Sequence, residues 1–257
     1  MSRIKIVFLL IFIAISIEAK KIEFSSIFEK YKIDGTIIIS TLTNKNYIYN
    51  LKRSKERFSP ASTFKILNTL ISLQEKAIKD EKEIIKWDKK IRNFDAWNQD
   101  QSIESAFPIS CVWFYQELAK RIGEQKYSSY LKKLKYGNQL VDSNITNFWL
   151  DGVLKISAQE QINFLKNLYL NRVPFDRKYI DTLKEVMLIE KSPKYKLYAK
   201  TGWAFKSKIG WYVGYLETKE NIYFFAMNID MKEIDSAKYR KILTIEALKK
   251  IIPNIFE

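Results

Sequence analysis

Ser62 and Lys65 stand three residues apart in the stretch Phe58-Ser-Pro-Ala-Ser-Thr-Phe-Lys65. A hydroxyl and an amine at that spacing can carry acyl-transfer chemistry. A serine hydroxyl is a poor nucleophile until a base takes its proton. Lysine serves as that base when burial lowers its pKa, because desolvation disfavours the ammonium form. The local sequence supplies the geometry. Pro60 suits the first turn of a helix, where its missing N–H costs nothing. Beyond it Phe64, Leu67, Leu70 and Ile71 recur at three- and four-residue spacing, which predicts a helix with a broad apolar face. Ser62 then lies in the opening turn, with Lys65 one turn on along the same side. The free N–H groups and positive dipole end of that turn are where an oxyanion could be held.

Composition narrows the alternatives. The 257-residue chain contains no histidine, which excludes a Ser-His-Asp triad, a Cys-His dyad and histidine-based zinc motifs. Its single cysteine excludes an internal disulfide and cysteine-rich metal sites, so neither metal nor cofactor is expected. With 47% hydrophobic residues the chain can build a substantial core, as one large domain or two interlocked lobes. The net charge of +15 comes from lysines scattered among acids, as in Lys76 to Lys90, with no single-sign block. This reads as a composition bias and not a nucleic-acid surface. At the N-terminus, a basic Ser2-Arg-Ile-Lys5 precedes an apolar run from Ile6 to Ile17 and then Ala19. That run is too short to span a bilayer, and the pattern is that of a signal peptide over 1–19. A single domain over 20–257, exported to the periplasm and without stable membrane association, is the expectation.

Alternating β-rich stretches at 34–41 and 47–51 flank turn residues Thr43 to Asn46 and predict a hairpin. Helical periodicity dominates from the Ser62 helix onward, at Gln116 to Ile122, Tyr127 to Leu134, Ala158 to Leu170 and Asp181 to Ile189, with Ser157 as an N-cap. Strands return at Leu197 to Phe205, Ile209 to Leu216 and Ile222 to Ile229, before a closing helix from Ser236 to Ile251. This order predicts an α+β fold: one antiparallel sheet of about five strands formed from both chain ends, with a helical lobe inserted.

Three more short motifs fall on connections and strand ends: Ser110-Cys-Val112, Tyr136-Gly-Asn138 and Lys200-Thr-Gly202, where Gly202 permits close backbone approach. In this order, together with Phe148-Trp-Leu150 and Ile209-Gly-Trp-Tyr-Val-Gly-Tyr215, the set resembles the serine β-lactamase and penicillin-binding superfamily. Within it, the chain is most similar to the class D, oxacillinase-type, β-lactamases. The resemblance covers nearly the whole chain after the signal.

The resemblance implies hydrolysis of β-lactams, penicillins and oxacillin-type compounds among them, through a serine acyl-enzyme. It implies Ser62 as nucleophile and Lys65 as base, carrying carbon dioxide as an N6-carboxylysine, a covalent modification and not a cofactor. Where sister families place an Asn amide this chain has Val112, and an apolar side chain there favours a neutral lysine. Ser110 would pass a proton to the β-lactam nitrogen beside a charged Lys200. The N–H groups of Ser62 and Trp203 would form the oxyanion hole. Thr201, Gly202 and Arg240 would hold the substrate carboxylate. Val112, Tyr115, Trp149 and Leu150 would wall the lysine pocket, with the Trp149 indole reaching the carbamate, and Tyr136 and Asn138 would shape a loop. Each residue also has an ordinary structural use: Ser110 as a helix N-cap, Trp149 as core, Arg240 as a surface cation. A slowly released cell-wall peptidase and an acylated sensor domain share the same motifs, and the short 204–208 loop does not reveal a substrate range.

Overall fold

The computed structural model describes residues 23–257, so the 1–19 signal segment lies outside the described residues. Helix α1 (Ser25–Tyr31) leads into the hairpin of β1 (Gly35–Thr41) and β2 (Asn46–Tyr49), followed by a one-turn helix α2 (Leu51–Ser54). The Ser62 segment begins as a 3-10 turn over Ala61–Phe64 and becomes α-helical only at Lys65, as α3 (Lys65–Gln74). A long irregular stretch ends in α4 (Ile103–Ala106). Then come α5 (Val112–Ile122), α6 (Glu124–Leu134), α7 (Ala158–Tyr169) and α8 (Arg177–Met187). Strands β3 (Leu188–Lys191), β4 (Tyr195–Ala204), β5 (Ile209–Thr218) and β6 (Ile222–Asp230) precede α9 (Tyr239–Ile251), which is introduced by a 3-10 turn.

The expected α+β architecture is observed, with six strands in place of about five. They run in the order β2-β1-β6-β5-β4-β3, every neighbouring pair antiparallel. The extra strand is β3, which the sequence reading absorbed into the helix ending at Ile189. All four of its residues are exposed, so it offers no buried-face alternation to read. The predicted 47–51 strand is also shorter, because Asn50 turns into the left-handed region at φ +53° and caps α2. Ser157 caps α7 as expected, in a reciprocal capping box with Glu160.

Both faces of the sheet are covered, and the strand sequences show why. Along β6, Phe224 and Ala226 enter the core shared with the helical lobe, while Phe225, Met227 and Ile229 enter a second core under α1 and α9. A strand buried on both sides is apolar at every position and loses its period of two. The β1–β6 pairing, from Gly35 opposite Ile229 to Thr41 opposite Tyr223, joins the two ends of the chain.

In the helical lobe, Phe64 packs against Tyr127, Tyr136, Phe148 and Trp149, with ring centroids 5.3–5.9 Å apart. Phe64 lies between Ser62 and Lys65 in sequence and is fully buried, so this cluster fixes the turn that carries both. Phe64→Ala is expected to destabilise the fold by about 3–5 kcal/mol. Urea titration should show a lowered midpoint with an unchanged slope; a midpoint near that of the wild type would mean the ring cluster does not hold the turn.

Candidate active site

The 3-10 turn carrying Ser62 is gripped from several elements at once. Phe58 bridges Ile156, with both backbone bonds formed at 2.8–2.9 Å, and the Trp211 indole of β5 donates to the Ser59 carbonyl at 2.9 Å. From α7, Gln161 Nε2 donates to Thr63 Oγ1 at 2.9 Å, and that hydroxyl donates on to the Pro60 carbonyl at 2.7 Å. Ala61 is forced into the left-handed region at φ +48° and donates its N–H to the Trp149 carbonyl at 2.9 Å. Such a conformation costs a non-glycine residue on the order of 1–3 kcal/mol, so it persists because these contacts over-determine it. Gly202 completes the grip. A Cβ there would lie 2.9 Å from the Pro60 carbonyl oxygen and 3.0 Å from Thr63 Cγ2. The close approach that its sequence suggested for a ligand is in part the approach of the Ser62 turn itself.

Lys65 Nζ donates to Ser62 Oγ at 2.8 Å. Lys65 is fully buried, whereas Ser62 retains 9% of its exposure. Burial pulls the lysine down to about 7, against a small opposing pull from Cys111. Near pH 7 the side chain is therefore a substantial source of neutral amine, as the apolar setting of Val112 requires. The face of the Tyr115 ring lies 5.2 Å from Nζ, and the Tyr115 hydroxyl is shared with Thr69 Oγ1 at 2.9 Å. Trp149 stacks on Phe64, and its Nε1 is buried with no partner among the described residues.

Across from this pair, Lys200 on β4 donates to Ser110 Oγ. Ser110 is thus not the N-cap of α5; that position is Cys111, whose side chain makes no capping bond. Ser110 itself is left-handed at φ +58°. Burial pushes Lys200 well below its ordinary value, and the nearby cations of Lys65, Arg240 and Lys241 add to the effect. Burial thus works against the charged form of Lys200 that the sequence reading expected. Arg240 is lowered to about 10 by burial and donates to the carbonyls of Gly202 at 2.6 Å and Ala237 at 2.8 Å, so it is no free surface cation. Cys111 is buried and its thiol is pushed up to about 11, a poor nucleophile.

These groups open onto a cleft of about 470 Å³. Of the residues singled out in the sequence, Ser62, Ser110, Val112, Leu150, Thr201, Gly202, Trp203 and Arg240 line it. Lys65 and Lys200 lie behind the two serines. Tyr115 and Trp149 are fully buried in the core. Tyr136 and Asn138 stand away from the cleft: Tyr136 packs on Phe64, and Asn138 Nδ2 donates to the Val153 carbonyl at 2.8 Å while its Oδ1 accepts from Lys155 N–H at 3.0 Å. The sequence reading missed Phe94, Trp97, Ile109, Asn147, Asp151 and Phe205, which also line the cleft. Phe94 and Phe205 are large exposed aromatics on irregular segments, and that was the available signal. A wider depression of about 740 Å³ between Lys86, Arg92, Trp113 and Lys120 holds cations already paired with acids and no nucleophile. Among the described residues no group of acids, cysteine or histidine is placed to hold a metal, and no helix is long and apolar enough to cross a membrane.

The buried lysine makes a testable contribution to stability. Its folded value near 7 lies below the ordinary 10.5. Between those values the unfolded chain binds more protons, so stability rises with pH across that window, and the burial cost is greatest below about pH 7. In carbon-dioxide-free buffer, Lys65→Met should melt higher than wild type at pH 6.5 by an amount on the order of a few kcal/mol. The advantage should shrink toward pH 10; a pH-independent difference would show that Lys65 titrates normally.

Comparison with known proteins places this geometry. The penicillin-binding protein transpeptidase domain matches residues 29–252. The chain is 41% identical to β-lactamase OXA-48 of Klebsiella pneumoniae, over 88% of this chain and 87% of that one. It is 40% identical to the probable β-lactamase YbxI of Bacillus subtilis strain 168, over 84% and 80%. Among solved structures, the class D β-lactamase YbXI from Nostoc superposes with a TM-score of 0.87 at 40% identity, covering 89% of this chain and 98% of that one. FUS-1, a class D β-lactamase from Fusobacterium nucleatum subsp. polymorphum, superposes with the same TM-score of 0.87 at 37% identity, over 91% and 98%. With an all-antiparallel sheet closed by both chain ends and a buried Ser-x-x-Lys pair facing a Ser–Lys pair across one cleft, this chain belongs to the class D β-lactamases of the penicillin-binding transpeptidase superfamily.

Proposed function

We propose that the protein hydrolyses β-lactam antibiotics through an acyl-enzyme on Ser62. The observation that carries this reading is the buried Lys65 amine, its proton affinity lowered to about 7, standing 2.8 Å from the Ser62 hydroxyl at the floor of the cleft. In the reaction, Ser62 Oγ attacks the ring carbonyl and gives its proton to Lys65. The backbone N–H groups of Ser62 and Trp203 take the developing oxyanion, in a setting where fixed dipoles need no reorganisation. The ring C–N bond breaks as Ser110 donates its hydroxyl proton to the nitrogen, and the proton on Lys65 returns to Ser110, so the net transfer is from Oγ to nitrogen. A water then attacks the ester carbonyl as Lys65 takes its proton, the acyl–Oγ bond breaks, and Lys65 returns the proton to Oγ, which restores both Ser62 and the base. Thr201 and Arg240 hold the substrate carboxylate, which also offsets the repulsion among Lys65, Lys200 and Arg240 and so favours a charged Lys200 beside Ser110.

Lys65 fits carboxylation. Carbon dioxide adds to a neutral amine and not to an ammonium, and burial supplies the neutral form. Trp149 Nε1, a buried donor without a partner, is the kind of group an acceptor on Lys65 would satisfy. A carbamate there supplies an anionic oxygen base in place of the amine. Val112 and Leu150 keep the surroundings apolar, and Tyr136 and Asn138 shape the loop outside the cleft. The basic and apolar pattern at 1–19 supports export, so substrate would be met in the periplasm; a mature chain starting near Lys20, read by intact mass, is the expected outcome, and retention of residues 1–19 would exclude it.

Purified protein should turn over nitrocefin continuously. A stoichiometric burst would instead indicate a peptidase or a sensor, and no reaction would remove the acyl-transfer reading. Ser62→Ala should keep the fold and lose all but at most about a thousandth of kcat, the residue left to binding and oxyanion stabilisation alone.

Carboxylation has its own test. Rates should fall in degassed buffer and recover with bicarbonate, Lys65→Ala should gain nothing from bicarbonate, and carbon-13 dioxide should give a carbamate NMR signal. Rates indifferent to bicarbonate over roughly pH 5 to 8, with no such signal, would leave the free amine as the base.

A further inference from the structure

Ser110 sits on a strained backbone, and the structure shows what holds it. The peptide unit joining Ile109 to Ser110 is hydrogen-bonded at both ends. Its carbonyl accepts from the Trp97 indole Nε1 at 3.1 Å, and its N–H donates to the Phe107 carbonyl at 3.2 Å. Trp97 is secured in turn. Its N–H donates to the Phe94 carbonyl at 2.8 Å, and its own carbonyl accepts from the Trp113 indole of α5 at 2.7 Å. On the far side of Ser110, the Cys111 N–H donates to the Ala106 carbonyl at 2.9 Å. Rotation about the Ser110 N–Cα bond out of the left-handed region would swing Oγ away from Lys200, or else turn the peptide plane and break both of its bonds.

We propose that Trp97 is a positioning residue for Ser110: its indole N–H pins the Ile109–Ser110 peptide and so keeps the Ser110 hydroxyl on Lys200, with Trp113 bracing Trp97 from behind. This rests on the reading of Ser110 as the proton donor to the β-lactam nitrogen. Trp97 also lines the cleft, so replacing it alters the wall as well as the pin. Trp113 does not line that cleft, so its substitution leaves the wall in place while removing the brace on Trp97.

The test measures single-turnover acylation by nitrocefin in Trp113→Phe and Trp97→Phe, each with the Ser110 hydroxyl present and in a Ser110→Ala background. Each Phe variant should slow acylation about tenfold, the worth of one lost hydrogen bond. Trp113→Phe should leave substrate binding unchanged and enlarge the solvent deuterium isotope effect, because proton delivery becomes limiting. In the Ser110→Ala background Trp113→Phe should cost nothing further, since the group being positioned is gone, and Trp97→Phe should keep only the smaller part of its loss that comes from the altered wall. An equal loss with and without the Ser110 hydroxyl, or an unchanged acylation rate in folded variants, would overturn the proposal. Should Trp113→Phe fail to fold by circular dichroism, Trp97→Phe in the same two backgrounds decides it. Failure of the underlying reading looks different, because Ser110→Ala alone would then be acylated at the wild-type rate.

Discussion

Withdrawing one ammonium from water organises the centre of this molecule. Lys65 is fully buried, with the Tyr115 ring over its amine and burial as the main cause of its lowered proton affinity; the charged form is the one penalised. Proton affinity near neutrality is therefore a property of the packing and not of any single neighbour. The arrangement holds only while water is kept out. That task falls to the aromatic cluster around Phe64, where Tyr127, Tyr136, Phe148 and Trp149 gather against the Ser-x-x-Lys turn. Lys200 and Arg240 extend the same logic. Lys65, Lys200 and Arg240 converge on one cleft, each with its proton affinity lowered by burial, and Asp151 is the one acid among the described residues that line it.

The two serines are also mounted in the same manner. Ala61, just before Ser62, and Ser110 itself both occupy left-handed backbone, and each is held by bonds from distant parts of the chain: Trp149 for one, Trp97 and Phe107 for the other. A relaxed turn would present a hydroxyl in several directions. A strained one that is over-determined by tertiary contacts presents it in a single direction.

What the sequence disclosed follows from which features are local. The Ser62–Lys65 pair was legible because three residues of helix or 3-10 turn put both on one side whatever the remainder does. The β4–β6 strands were legible from their aromatic and β-rich content and the short polar links between them, and Ser157 from its place just before the α7 periodicity. Strand β3 was not, because an exposed edge of four residues has no period. Phe94, Trp97 and Phe205 escaped because irregular segments carry no repeat that predicts where a side chain ends up. The lowered proton affinity of Lys200 escaped for another reason: it depends on burial in the assembled fold and on Lys65 of α3 meeting Arg240 and Lys241 of α9. Gly202 was read for the right property, close approach, but the backbone that approaches it belongs largely to the Ser62 turn.

The pairing of β1 with β6 has a kinetic consequence. Those strands come from opposite ends of the described chain, so the central ladder of the sheet closes only after nearly all the intervening helices have been made. Contacts between partners so distant in sequence raise the entropic barrier to folding and slow it. Until β4 docks, nothing holds Lys200 against Ser110 or Gly202 against the Ser62 turn. The lysine then stays hydrated and protonated, and its serine stays inert. Reactivity and completed topology therefore arrive together, which leaves partly folded chains chemically silent.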